Sequence, residues 1–206
     1  MKYGTVNLGQ VEALINKLGG ESAIARVLSG EWIVGEPAKI KAKAKSCVST
    51  KVLAGLLELT GEPVKMSAIE RFVARDKFVV NRQGELPISY LGDNFKGNFL
   101  DVVEENVPAC TLKQRKLLKA SVDTPILNAL GDKDLAKIEK ARSALAQVFD
   151  YLKTADRTKW YLFYVADAKG IVWAVHAYWG GHGWRVDADS VTGPDEWGAD
   201  DRVVSR

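Results

Sequence analysis

The hydrophobic period of this chain changes along its length. Up to residue 154 the apolar positions recur three and four apart, the spacing of a helix face; from residue 159 they alternate, the spacing of a strand buried on one side. Leu8, Val11, Leu14, Ile15 and Leu18 form one helical stripe, with Asn7 as N-cap and Gly19-Gly20 as stop. A second short helix, "ESAIARVL", closes at Ser29-Gly30. Helix, glycine turn and helix resemble the opening of a helix-turn-helix. The place of a recognition helix is taken by "EWIVGEP", a short strand, so a helical hairpin packing on the rest is preferred.

The middle also reads as helical. "SCVSTKVLAGLLELTG" is expected to be a helix ending at Gly61, and "MSAIERFVA" another. "KFVVN" and "LPISYL", joined by "RQGE", predict a β-hairpin. Asp93 opens a helix over "NFKGNFLDVVEENV", closed by Pro108, and Thr111 caps a helix over "LKQRKLLKASV". "TPILNALG" is a short helix stopped by Gly131. The strongest helical pattern is 133–154, where Leu135, Ile138, Ala141, Leu145, Val148 or Phe149, and Leu152 recur at helical spacing.

Beyond it, "KWYLFYVAD", "GIVWAVHAYW" and "GWRVDADSV" predict three strands joined by "ADAKG" and "GGHG", with "RVVSR" as a closing strand. If Gly180 to Gly183 make the turn, Trp179 faces Trp184, Ala177 faces Val186 and Val175 faces Ala188, an apolar face for the core. The other face then pairs Tyr178 with Arg185, His176 with Asp187 and Ala174 with Asp189. Helices followed by strands argue for an α+β fold: a helical N-terminal region over 1–62, then an α+β domain over 63–206. In that domain a C-terminal antiparallel β-meander of three to four strands is expected to pack on the long helix.

Composition narrows the function. Of 206 residues, 47% are hydrophobic and 27% charged, ordinary globular values. The net charge of +3 is too weak to imply nucleic-acid binding by itself, so local distribution matters more. Lys39, Lys41, Lys43 and Lys45 alternate with Ile40, Ala42 and Ala44, which in a strand puts the ammonium groups on one face. Such a rail suits phosphates; it equally suits an edge strand protected by lysines, or a linker. Lys113, Arg115, Lys116 and Lys119 form a second basic run. Cys47 and Cys110 are far apart and neither histidine is near them, so no zinc site and no cofactor is expected. No signal peptide and no membrane span are read, so a cytoplasm with free thiols is expected.

Three functions stay open. The first is a non-catalytic module contacting nucleic acid or an acidic protein through Lys39 to Lys45 and Lys113 to Lys119. The second is a metal-independent hydrolase or ribonuclease using His176, Asp187, Arg185 and Tyr178, where the acid orients the imidazole and arginine holds phosphate. No nucleophile accompanies those residues, and the reading leans away from an enzyme. The third is protein–protein assembly through the aromatic-rich sheet, since not all six tryptophans can be assigned to a core.

Several segments, "ISYLGDNFKGNFLDVVEENV", "TLKQRKLLKASVDTPILNALG", "GWRVDADSV" and "RVVSR", with "QVEALINKLGG" and "LSGEWIV", resemble a widespread group of uncharacterised bacterial proteins. The resemblance implies a bacterial origin and a cytosolic setting. It implies no activity and carries no site residue over to His176 or His182.

Overall fold

The computed structural model describes residues 52–53, 55–135 and 137–206, all within one structural unit. The lysine rail and the expected N-terminal helices lie outside the described residues. In chain order the elements are β1 (Val52–Leu53), β2 (Leu57–Leu59), β3 (Val64–Met66), β4 (Ile69–Val73) and α1 (Ala74–Lys77). Then come β5 (Ile88–Leu91), α2 (Asp93–Phe99), β6 (Val103–Val107), β7 (Cys110–Leu117), α3 (Asp123–Leu130) and β8 (Arg142–Ser143). The chain continues through α4 (Leu145–Thr154), β9 (Trp160–Ala166), β10 (Val172–Trp179), β11 (Trp184–Ser190) and β12 (Arg202–Ser205).

The expected α+β fold with a helical middle is wrong: strands dominate the described residues. The main sheet runs β1-β2-β7-β12-β9-β10-β11-β5, with β3 also on β7 and β8 also on β9; β4 and β6 pair separately. The sheet is mixed, since β12 and β8 pair with β9, and β5 with β11, in parallel. The hairpin of β10 and β11 keeps the register read from sequence, from Trp179 opposite Trp184 to Ala174 opposite Asp189.

Each correction has a local cause. Residues 52–59 fold as two short paired strands because Gly55, at φ 65°, makes a tight turn between them. The expected helix over 112–122 is strand β7 in its first part, because its leucines serve two cores. Leu112 and Leu117, an odd number of positions apart, are buried on opposite faces. A strand covered on both faces loses the clean alternation that would betray it. "KFVVN" forms no strand; Val79 and Val80 are exposed, and β5 pairs with β11 instead.

The long helix shrinks to α4. The carboxylate of Asp132 accepts the backbone N–H groups of Glu139, Lys140 and Ala141 at 3.1, 3.1 and 2.6 Å, so a side chain does the work that helix carbonyls would. Helix α4 starts at Leu145 because three donors there already have acceptors. Gln147 Oε1 takes Ala144 N–H, while the two oxygens of Glu104 take Leu145 and Ala146 N–H.

Cores form on both faces of the sheet. Tyr161 to Val165 of β9 are each at most 1% exposed although they point alternately to the two sides. On the first side lie Phe149, Tyr151, Phe95, Phe99, Phe78 and Phe72, brought by α4, α2, α1 and β4 against Phe163, Val175 and Val186. On the second, Ile126 and Leu127 of α3, with Ile138, Ala141 and Trp197, cover Leu162, Tyr164, Ala174 and Val203.

Candidate functional site

The second core covers only part of its face. Toward the start of β9 the covering residues stop, and one cross-strand row is left open. The pairings Trp160 with Tyr178, Tyr178 with Arg185 and Arg185 with Tyr90 place these four residues side by side on β9, β10, β11 and β5. Their π systems are layered. The Trp160 and Tyr178 rings stack at 3.8 Å and 10°, and the Arg185 guanidinium lies 4.5 Å from the Tyr90 ring centroid and 5.7 Å from that of Tyr178. Trp160 and Tyr90 are 44% and 41% exposed, unusual for large aromatic groups with no further cover.

A cleft of about 170 Å³ opens beside this row, lined by Tyr90, Tyr178, Arg185, Val186, His176 and Asp187. The structure thus brings together all four sheet residues singled out from sequence and adds Tyr90. The Asp187 carboxyl is wedged over Gly92: a Cβ on that glycine would lie 1.8 Å from it. Asp187 Oδ1 accepts the N–H of Ala188 at 2.9 Å.

His176 marks the border between covered and open halves. It faces Asp187 in register, but its Nε2 meets the diagonal neighbour, Asp189 Oδ2, at 3.2 Å. Its ring lies 5.3 Å from that of Trp197, and its Nδ1 is buried without a partner among the described residues. Burial lowers the His176 pKa, partly offset by Asp189, so the neutral imidazole is favoured. Burial also raises the Asp189 and Asp201 carboxyls. Asp123, at 2% exposure, is pushed up to about 6 by burial, although Tyr164 Oη and Trp197 Nε1 both donate to its Oδ1, at 2.7 and 2.9 Å. No group of three or more His, Cys, Asp or Glu among the described residues is arranged to hold a metal ion.

The second basic run does not gather into a patch. On β7, Lys113 and Arg115 point to one face and Lys116 to the other. Arg115 is 9% exposed, donates to Ser205 Oγ at 2.7 Å, and has its pKa lowered by burial. Lys116 is paired with Asp200 at 2.6 Å; Lys113 and Lys119 are exposed. His182 is exposed in the turn after β10.

Sequence reasoning missed Trp160, Tyr90 and Asp123. Trp160 was within reach, because it starts a strand antiparallel to β10 and its register follows from the turn around Gly170. Tyr90 was not, because a parallel pairing between segments so far apart leaves no local signal. Compared with protein-family models, curated proteins and solved structures, the chain matches none. No helix among the described residues is long and apolar enough to cross a membrane.

Proposed function

We propose that this protein is a non-catalytic binding module for single-stranded nucleic acid, with the open row of the sheet as its stacking surface. The observation that carries this reading is the layered row Trp160–Tyr178–Arg185–Tyr90, three of its four residues exposed. Bases stack on aromatic side chains without regard to sequence, at about 1–3 kcal/mol each. Arg185 has no carboxylate within ion-pair distance among the described residues, so its charge is available to a phosphate. Arg157, whose guanidinium lies 4.1 Å from the Trp179 ring centroid, and Lys159 belong to the same end of the sheet and are likewise without such a partner. Lys39 to Lys45 supply further phosphate contacts in this reading, and the setting is the bacterial cytoplasm.

The test is fluorescence anisotropy with labelled octauridylate RNA at low and moderate salt. Trp160→Ala should weaken binding about tenfold, the effect of one lost stacking contact. Replacing Lys41, Lys43 and Lys45 by Glu should reduce the slope of affinity against salt by about three phosphate contacts. Salt-insensitive binding, or none, overturns the reading and turns attention to a protein partner on the same aromatic row. The ribonuclease alternative is supported by one feature, a neutral His176 held by Asp189 at the wall of the cleft. It requires RNA cleavage that disappears in His176→Ala.

A further inference from the structure

We infer that the cleft between Tyr90 and Tyr178 is a pocket for a single nucleobase, selecting bases that present hydrogen-bond donors, guanine foremost. This inference rests on the nucleic-acid reading and specifies its ligand. Size is the first argument. At about 170 Å³ the cleft is smaller than the ~300–1,000 Å³ of pockets for drug-sized molecules, and it leaves room for one flat ring system. The walls are the second. Two phenol rings and a guanidinium line the cleft.

The polar groups supply the selectivity. Asp187 is an acceptor when ionised. Its Oδ1 holds Ala188 N–H, whereas Oδ2 has neither hydrogen bond nor ion pair within the described residues. Gly92 lets that carboxyl sit where any larger residue would displace it, so its position is built in. The two oxygens together offer about four lone-pair sites, and Ala188 takes one of them, so the carboxylate can accept two donors from one ligand. A carboxylate edge matches an edge of two adjacent donors. Guanine carries adjacent N1–H and amino donors; cytosine and adenine carry an amino group beside a ring acceptor; uracil carries one N–H between two carbonyls. The expected order is guanine, then cytosine and adenine, then uracil. Arg185 at the mouth is the donor for a phosphate or for the guanine carbonyl.

The experiment compares octauridylate with the same oligonucleotide carrying one central guanosine, cytidine or adenosine. Wild-type protein should bind the guanosine oligonucleotide about tenfold more tightly than octauridylate, the effect of one good paired contact. In Asp187→Asn, which keeps the shape and adds a donor, that ratio should fall to near one, with folding verified by circular dichroism. In Trp160→Ala both oligonucleotides should weaken while the ratio persists. Equal binding of all four oligonucleotides by wild type, or an unchanged ratio in Asp187→Asn, overturns the base pocket and leaves the stacking surface standing. Failure to bind any of them overturns both.

Discussion

The two faces of the central sheet are built from the same strands and meet different fates. The first is covered by helices and phenylalanines over Phe163, Val175 and Val186. The second is sealed only over its half near Tyr164 and Ala174, and the remainder carries the row from Trp160 to Tyr90. Residues of one strand therefore differ in kind: Phe163 is fully buried, while Trp160, three positions earlier, is 44% exposed. The difference teaches that aromatic content alone does not mark a core. What decides is whether another element arrives to cover the ring.

The sharpest way to break this contrast is to truncate one ring on each face. Phe163→Ala should destabilise by about 3–5 kcal/mol in urea unfolding, because it removes contacts on all sides and leaves a cavity. Trp160→Ala should change stability by less than about 1 kcal/mol while impairing binding. Comparable losses at the two positions would erase the distinction.

Next in size is the seam between the covered and open halves. Asp123→Ala strips the acceptor from both Tyr164 Oη and Trp197 Nε1, and should destabilise by about 2–4 kcal/mol. Asp123→Asn keeps an acceptor and should lose less. Asparagine also removes a titration. A carboxyl raised to about 6 contributes stability that is present at acid pH and lost as pH rises through 6. From pH 7.5 to about 5 it should add on the order of 1 kcal/mol. His176 acts with the opposite sign: its lowered pKa means that stability is lost as pH falls below the ordinary histidine value of 6.5. Acid stabilisation should therefore be clearer in His176→Gln than in wild type and weaker in Asp123→Asn, where only the raised Asp189 and Asp201 carboxyls still contribute it, read by denaturation at both pH values.

A modest effect on stability sharpens the contrast most. In Gly92→Ala the new methyl collides with the Asp187 carboxyl, which can rotate away. Stability should change by no more than about 1–2 kcal/mol, yet the preference for guanosine should vanish.

The sequence carried the hairpin of β10 and β11 because one glycine turn and strict alternation set its register, and with it the meeting of His176, Tyr178, Arg185 and Asp187. It hid β7, whose leucines and cations also satisfy a helical template. It hid the segment after α3, because nothing local reveals that Asp132 will hold three backbone donors. Tyr90 and the covering role of Trp197 depend on pairings between distant segments, and no window of residues contains them.

The position of β12 bears on how the molecule is made. Its Ser205 meets Arg115 across 90 residues of chain, and β12 itself lies between β7 and β9, both synthesised earlier. While residues 202–205 remain inside the ribosome, β7 and β9 have all been translated but lack the strand that joins them. Each then offers an unpaired strand edge in a crowded cell. The sheet therefore closes after the rest of the described chain has emerged, and a nascent chain stalled before Arg202 is the form most exposed to chaperones and to misassembly.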